Sequence, residues 1–401
     1  MDYETFHEML ALSERRASHV PMALRRSLYG RINWENRLIA LKGARGVGKT
    51  TLLLQHLREC LSGGAKALYV SLDNLWFSTH SLRDLVDFHV SRGGTALFLD
   101  EVHYMPEWQT TIKNLYDDYP ELSIVYTGSS MLRISASQGD LSRRQVTYEL
   151  RGLSFREFLL FEGICDAPAL PLPELLDQHV ALARQITSGT KILAHFDRYL
   201  TVGYYPFYLE PGDGYETRVR QMVNQILESD YPAIEEATPS TIRKVRRMLM
   251  LLSERPPQTP NLSALARELE IDRNHGLKMM YALERAGLLN LLEAEAASLK
   301  NLSRPEKIYC ENPNLMHALV PSTDMGTLRE CFALNQLRAA GRVTYPKQGD
   351  FLVDGSILFE VGGKGKTYGQ IKDLPNSFLA VDNLEVGAGN RIPLWCLGFL
   401  Y

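Results

Sequence analysis

The sequence predicts an α/β fold in which a parallel sheet lies between two layers of helices. Two patterns predict it. Short apolar runs, such as LIAL at 38–41 and ALFL at 96–99, alternate with segments of helical spacing, as in sheets that are buried on both faces. A glycine-rich stretch, GARGVGKT at 43–50, joins the first run to a helical segment. Together they predict a three-layer core of the P-loop NTPase type, with further domains behind it.

The glycine-rich stretch, called here the glycine loop (43–50), satisfies G-x-x-x-x-G-K-[ST]. Its glycines let successive backbone N–H groups turn toward a phosphate, and the N-terminus of the following helix adds a partial positive charge. We expect Lys49 to contact the β- and γ-phosphates and Thr50 to offer its hydroxyl to Mg²⁺. The predicted nucleotide-binding residues are Gly43, Ala44, Arg45, Gly46, Val47, Gly48, Lys49, Thr50 and Thr51.

Two acids, Asp100 and Glu101, end the second apolar run. They are expected at the carboxyl end of a central strand, where open α/β sheets bind ligands. We expect Asp100 to hold Mg²⁺ through water and Glu101 to orient and polarise the attacking water. A carboxylate directly after the aspartate favours ATPases of the additional-strand type over GTPases, and the sequence lacks the guanine-reading N-K-x-D. The predicted cofactors are therefore ATP and Mg²⁺.

A third short run, SIVYTGSS at 123–130, ends in hydroxyl side chains. We expect this strand to lie between the other two, where a polar residue at its end can sense the γ-phosphate. Ser129 or Ser130 is the candidate. The alternative is a serine-rich turn that caps the next helix.

Two arginines, Arg143 and Arg144, precede the last predicted strand of the core at 146–150. An arginine there would stabilise charge on the transferred phosphoryl group, an effect of roughly 10³–10⁵ in rate where it operates. We favour Arg144 for this role, in its own chain or in a neighbouring one. The alternative is a solvated arginine pair at a helix end.

Spacing and composition predict three further domains behind the core. The predicted domains are 1–152, the core with N-terminal helices at 2–18 and 22–30; 153–236, a helical lid; 237–320, a winged-helix domain; and 321–401, a small α/β domain. The third follows the plan helix, helix, turn, helix, hairpin. Its last helix offers only His275, Lys278 and Arg285 as long polar side chains, so the sequence does not decide between a protein and a DNA partner.

Four stretches carry a resemblance to a known family: GARGVGKTTLLLQ, LFLDEVHYMPEWQ, IVYTGSS and LSFREFLLFEG. They resemble a bacterial and archaeal family of predicted AAA-type ATPases. Its members carry a C-terminal domain of unknown function with a restriction-endonuclease-like core. The resemblance implies an ATPase and gives no pathway.

Endonuclease-like folds hold a metal for phosphodiester hydrolysis with an Asp, a Glu-x-Lys on the next strand and a Glu on the preceding helix. Glu330, Asp350 and Glu360 occupy matching places in this chain. The lysine position, however, is Gly362, and the nearest expected ammonium is that of Lys364, two residues late. We therefore expect a degenerate domain that recognises a partner and does not cut nucleic acid.

The composition of the chain limits the class of protein and its expected location. The chain has 401 residues, of which 45% are hydrophobic and 23% charged, with a net charge of −3, typical of globular domains without a global attraction to nucleic acid. No apolar run approaches the ~20 residues of a membrane span. The first residues carry acids before any apolar run, and the five cysteines are widely spaced, so we expect a cytoplasmic protein with reduced thiols. The sequence leaves oligomerisation open.

The resulting prediction is a protein that binds and hydrolyses ATP with Mg²⁺ and couples its nucleotide state to an unidentified macromolecular partner. One alternative is a metal-dependent nuclease regulated by its ATPase domain. Another is a nucleotide-gated adaptor with little turnover. An assay of steady-state turnover separates the adaptor from the enzyme.

Overall fold

The computed structural model describes residues 2–129, 141, 143–232, 237–254, 257, 260–295, 304–320, 322–372 and 374–401, without the side chains of Ser129 and Gln370. The chain divides into two compact units, Met1–Arg151 and Gly152–Tyr401. Within the described part of the chain, none of the helices combines the length and the apolar character that crossing a bilayer requires.

Five parallel strands form the centre of the first unit. The strands are β1 (Leu38–Gly43), β2 (Ala67–Ser71), β3 (Ala96–Asp100), β4 (Ser123–Ser129) and β5 (Val146–Glu149), and the helices are α1 (Tyr3–His19), α2 (Lys49–Ser62), α3 (Leu82–Val90) and α4 (Trp108–Asp118). The strand order is β2-β3-β4-β1-β5. This parallel sheet confirms the predicted α/β fold.

Alternate residues of each strand enter two different hydrophobic cores. Leu38 and Ala40 pack with residues of α3 and α4, whereas Ile39 and Leu41 pack with residues of α2. Successive side chains of a strand point to opposite faces of the sheet, so the sheet separates two helical layers. Because both faces are covered, the strands are continuous apolar runs rather than alternating ones.

Helix α1 covers the outer strand β2, which would otherwise present unpaired backbone groups. The backbone N–H of Tyr69 donates to the hydroxyl of Ser13 at 2.9 Å. This helix was expected over 2–18. The second expected helix, 22–30, is instead a 3₁₀ turn at Ser27–Arg31, because Arg26 is extended and its guanidinium binds two distant carbonyls.

The second unit contains a mixed sheet and nine described helices. The helices are α5 (Phe155–Phe161), α6 (Leu172–Thr187), α7 (Ile192–Val202), α8 (Tyr215–Gln225), α9 (Pro239–Glu254), α10 (Leu262–Glu268), α11 (Arg273–Arg285), α12 (Pro313–Leu319) and α13 (Met325–Leu337). The strands are β6 (Leu289–Leu292), β7 (Lys307–Cys310), β8 (Val343–Thr344), β9 (Phe351–Val353), β10 (Ile357–Gly362), β11 (Ser377–Val381) and β12 (Arg391–Pro393). The sheet order is β12-β11-β10-β9-β8, with β10, β11 and β12 parallel and the other pairs antiparallel.

Helices α9, α10 and α11 are followed by the antiparallel hairpin β6–β7, which is the order of elements expected for a winged helix. The identification as a winged helix stays a prediction. One hydrophobic core joins Phe155, Tyr309 and Trp395, which come from all three segments expected behind the ATPase core. The division of this unit into a lid, a winged helix and a C-terminal domain therefore also stays a prediction.

A half-buried histidine on α2, His56, has a lowered pKa. The ring of His56 stacks on Trp34 with 3.7 Å between centroids. Burial lowers the pKa of His56 from 6.5 to about 4, against a smaller opposing effect of Glu59. The unfolded chain therefore binds a proton at this position below about pH 6.5, whereas the folded chain does so only near pH 4.

We expect the contribution of His56 to the free energy of unfolding to be complete above pH 6.5 and to be lost as the pH falls toward 4. The test compares the wild type with His56→Phe, which retains a ring against Trp34 but cannot titrate. Urea unfolding at a series of pH values should show wild-type stability declining more steeply with acid than that of the variant. Parallel declines would contradict the assignment.

Candidate nucleotide-binding site

The glycine loop connects β1 to α2 at the carboxyl edge of the sheet. Gly46 and Gly48 have φ of 83° and 96°, in the left-handed region that favours glycine. Gly43 is required for a different reason, since a Cβ there would lie 2.3 Å from the carbonyl oxygen of Leu150. The remaining predicted binding residues lie in this loop or in the first turn of α2: Ala44, Arg45, Val47, Lys49, Thr50 and Thr51.

Lys49 begins α2 and is 5% exposed. Its ammonium donates to the carbonyl oxygens of Gly43 at 3.0 Å and Ala44 at 3.1 Å. The ammonium of Lys49 is thus folded back over the glycine loop.

Thr50 and Asp100 bring two oxygen donors together beside the glycine loop. The Thr50 hydroxyl donates to Asp100 Oδ2 at 2.8 Å. Asp100 ends β3 and is 2% exposed. Hydroxyl and carboxylate oxygens are the ligands that Mg²⁺ prefers, usually with water in its remaining positions, so the donor set fits this ion.

Two further hydroxyls bind the Asp100 carboxylate. The Thr127 hydroxyl, on the neighbouring strand β4, donates to Oδ1 and also accepts from the backbone N–H of Glu101 at 3.0 Å. The Tyr69 hydroxyl, on β2, donates to Oδ2 at 2.9 Å. Burial, followed by the Asp100 charge, raises the pKa of Tyr69, so the phenol stays a donor.

Sequence reasoning missed both hydroxyls. Thr127 is the first polar residue after the apolar part of its run, and the register that pairs Leu99 with Tyr126 puts it beside Asp100. That polar position was a usable signal. Tyr69 lies inside an apolar run, so the sequence carried no signal for its contact with Asp100.

Ser129, the predicted γ-phosphate sensor, ends β4 with its backbone paired to Gly43. Its side chain, and the whole of Ser130, lie outside the described residues. The sensor assignment therefore stays a prediction.

Glu101 follows Asp100 with left-handed backbone, φ 52°, a conformation that costs about 1–3 kcal/mol for a residue with a side chain. Its Oε2 lies 3.3 Å from Nδ1 of His103, whose side chain is almost wholly buried. The strained turn thus places the Glu101 carboxylate at the carboxyl edge of the sheet, against a fixed imidazole.

Arg144, the arginine favoured for stabilising charge on the transferred phosphoryl group, forms an ion pair with Asp117. Its guanidinium makes two contacts to Asp117, Nε to Oδ1 at 2.9 Å and Nη2 to Oδ2 at 3.1 Å. It precedes β5, whose first residue, Val146, pairs with Ile39. The glycine loop starts four residues further along β1, roughly 13 Å away at ~3.3 Å per residue. The structure therefore does not bring Arg144 to the phosphate-binding edge of its own sheet.

Arg26 binds the backbone of the glycine loop, a role that the sequence analysis did not predict. This buried side chain donates from Nη1 to the Val47 carbonyl and from Nη2 to the Arg151 carbonyl, both at 2.7 Å. It thereby ties the loop to the chain that follows β5. An arginine inside a segment with helical spacing carries no sequence signal for such a role.

A second charged cluster lies in the other unit. Glu330 of α13 accepts from the Lys307 ammonium at 3.2 Å, and Asp350 lies 3.5 Å from the same ammonium. Burial lowers the pKa of Lys307, but Glu330 and Asp350 outweigh that effect and raise it. The Tyr309 hydroxyl also donates to Glu330, at 2.7 Å. A lysine thus joins two of the three predicted acids.

The third predicted acid, Glu360, forms an ion pair with Lys366 rather than with Lys364. Its ammonium lies 2.5 Å from Glu360 Oε1, and its stem covers Gly362, where a Cβ would lie 2.5 Å from Lys366 Cγ. The expectation that Lys364 supplies the nearest ammonium is therefore wrong, because the chain turns back after β10 and returns Lys366 to the strand. Among the residues that the structure describes, no three His, Cys, Asp or Glu are placed to hold one metal ion.

The glycine loop, Lys49 and the Thr50–Asp100 pair lie together at one edge of a parallel sheet, an arrangement typical of nucleotide-binding domains. In agreement, residues 35–159 match the family model described as AAA domain. Residues 193–326 match a domain of unknown function, DUF8612. The chain therefore contains an AAA domain followed by a domain whose function is unknown.

The chain is also similar to the uncharacterized protein MJ1637 of Methanocaldococcus jannaschii, at 28% identity over 289 residues. The match covers 69% of this chain and 61% of that relative. The chain thus matches about three fifths of the length of this curated relative.

Solved structures with partial likeness include a DNA replication initiation factor, with 14% identity, 80% of this chain and 86% of that one covered, and a TM-score of 0.29. AMPPCP-bound DnaA from Aquifex aeolicus has 14% identity, coverage of 68% and 86%, and a TM-score of 0.27. PCH-2 of C. elegans has 14% identity, coverage of 71% and 67%, and a TM-score of 0.26.

Proposed function

We propose that this protein binds ATP with Mg²⁺ and hydrolyses it, and that it couples its nucleotide state to a macromolecular partner. The observation that carries the proposal is the Thr50–Asp100 hydrogen bond of 2.8 Å, made by the residue that directly follows a lysine whose ammonium lies over the glycine loop. The AAA domain match over residues 35–159 supports the same class.

Each group has a defined part in binding. Backbone N–H groups of the glycine loop and the N-terminus of α2 receive the phosphates. Lys49 exchanges the carbonyls of Gly43 and Ala44 for phosphate oxygens. Thr50 and Asp100 would hold Mg²⁺, which would supply positive charge to stabilise the charge that develops on the phosphate oxygens.

Glu101 is the proposed base that orients the attacking water. Its carboxylate rests 3.3 Å from His103 and is 17% exposed, so it can turn toward a water at the sheet edge. Thr127 holds the two acids in fixed relation, since its one hydroxyl binds the Asp100 carboxylate and the Glu101 backbone.

Phosphate release from ATP by the purified protein tests the proposal. We expect turnover that requires Mg²⁺ and disappears with EDTA. ATP binding without turnover above background would instead support the adaptor alternative, and absence of both would overturn the proposal.

We propose that the partner is a protein or DNA that docks on the second unit. Helices α9 and α11 offer exposed Arg243, Arg247 and Lys278, which support contact with an acidic surface or a phosphate backbone. A capture experiment in ATP with Glu101→Gln, followed by nuclease treatment of half the sample, distinguishes the two kinds of partner.

We also propose a cytoplasmic location. All five cysteines, at 60, 165, 310, 331 and 396, are free thiols, as expected in a reducing compartment. Thiol labelling of the protein inside intact cells, compared with labelling after lysis, tests the assignment.

One observation favours the nuclease as a second candidate. Lys366 places an ammonium beside Glu360, as the missing lysine of the Glu-x-Lys pattern would have done. Against it, the ammonium of Lys307 lies between Glu330 and Asp350, where a catalytic metal would have to bind. The second observation supports a domain that does not cut nucleic acid, because a metal ion would have to displace a lysine that both acids stabilise.

We therefore expect no cleavage when the protein is incubated with Mg²⁺ or Mn²⁺ and single- or double-stranded DNA or RNA. Gel electrophoresis of labelled substrates is the measurement. Asp350→Ala is the control for contaminating nuclease, which would cleave equally in both preparations. Cleavage by the wild type that vanishes in Asp350→Ala would promote the nuclease to the leading function.

A further inference from the structure

Tyr69 connects helix α1 to the carboxylate of Asp100 at the candidate metal site. Its hydroxyl donates to Asp100 Oδ2 at 2.9 Å and accepts from Arg16 Nη1 at 3.1 Å. Its backbone N–H donates to Ser13 at 2.9 Å. Arg16 and Ser13 both belong to α1, so one helix holds this tyrosine at two points.

The three hydroxyls that donate to Asp100 are distributed unequally between its two carboxylate oxygens. Oδ1 receives Thr127, whereas Oδ2 receives both Thr50 and Tyr69. When Thr50 turns its oxygen to a cation, Thr127 and Tyr69 remain as one donor on each carboxylate oxygen. Two such bonds fix the plane of the carboxylate, which a single bond would leave free to rotate.

Packing alone does not require this hydroxyl. Tyr69 is 4% exposed among apolar neighbours, where a phenyl ring would fill nearly the same space, and a buried hydroxyl is costly unless it is bonded. Tyr126 of β4 offers a comparison. It is 3% exposed, but its hydroxyl donates to Gln145, away from Asp100.

We propose that Tyr69 is a positioning residue for Mg²⁺ at Asp100, and that Arg16 holds the Tyr69 hydroxyl in place, so that α1 is tied to the metal site. The inference rests on the proposed binding of ATP with Mg²⁺. A purely structural Tyr69 would affect stability and leave the response to Mg²⁺ unchanged.

The test measures ATP affinity by calorimetry with Mg²⁺ and with EDTA, which requires no turnover. Tyr69→Phe should leave the affinity in EDTA within about twofold of wild type. It should reduce the gain in affinity on adding Mg²⁺ by roughly tenfold, as expected for loss of a hydrogen bond to a charged group. Arg16→Gln should reduce the same gain less, by about threefold.

Tyr126→Phe is the matched control, since it removes a buried hydroxyl from the same sheet, in the core on its other face, without removing a hydrogen bond to Asp100. We expect it to keep the wild-type gain. An unchanged gain in Tyr69→Phe, or an equal loss in Tyr126→Phe, would overturn the role of Tyr69 while the proposed function stands. A wild type that binds no ATP in either condition would overturn the proposed function itself.

Discussion

Lys49→Ala is expected to lose ATP binding by at least about a hundredfold while the first unit remains folded. The estimate follows from removing charge-assisted hydrogen bonds to two phosphates, each of which contributes about 1.5–3 kcal/mol. The side chain begins a helix, and its ammonium donates to the carbonyl oxygens of Gly43 and Ala44 in its own loop, so we expect the fold of the first unit to survive the substitution.

Calorimetry gives the affinity, and circular dichroism with thermal unfolding checks the fold. Lys66→Ala is the matched control, since Lys66 donates to the Arg92 carbonyl in the same unit and lies before β2, at the amino edge of the sheet. An unchanged affinity in Lys49→Ala, or an equal loss in Lys66→Ala, would contradict the assignment of the phosphate-binding lysine.

Glu101→Gln is expected to keep ATP affinity within a few-fold of wild type and to lower turnover by about 10²–10⁴. The amide has the size of the carboxylate but cannot accept the proton of the attacking water. Asp100 and its hydroxyl donors are unaffected, so binding of ATP with Mg²⁺ should persist. Phosphate release and calorimetry on the same preparation separate the two quantities.

Glu107→Gln controls for the unusual backbone of Glu101. Glu107 has the same left-handed φ of 52° but is exposed and precedes α4. Its variant should turn over like the wild type. If turnover in Glu101→Gln stays within roughly tenfold of wild type, the base lies elsewhere in the site.

Local patterns were sufficient for the parts of the site that a continuous segment builds. The glycine loop contains its own turn glycines, its lysine and its hydroxyl within eight residues, and Asp100 needed only a buried strand to carry it. The strand–loop–helix context at 38–57 was therefore readable without knowledge of any distant contact.

The groups that sequence reasoning missed or misplaced depend on pairing between segments. Thr127 reaches Asp100 only through the register of β4 against β3, and Tyr69 reaches it from β2, the neighbouring strand on the other side of β3. Arg144 was favoured for its proximity in sequence to a core strand, but the amino end of a parallel strand lies at the edge away from the loop. Lys366 replaces a missing lysine through the path of a turn, which residue spacing does not encode.

The supports of the glycine loop come from distant parts of the first unit. Arg26 binds the Val47 carbonyl, while the Leu150 backbone donates to Lys42 at 2.7 Å and its carbonyl closes over Gly43. During synthesis the loop leaves the ribosome about 100 residues before Leu150 does, roughly 5–20 s earlier at about 5–20 residues per second. Until then the glycine loop lacks the Leu150 carbonyl that closes over Gly43, and β1 has β4 but not β5 as a possible partner.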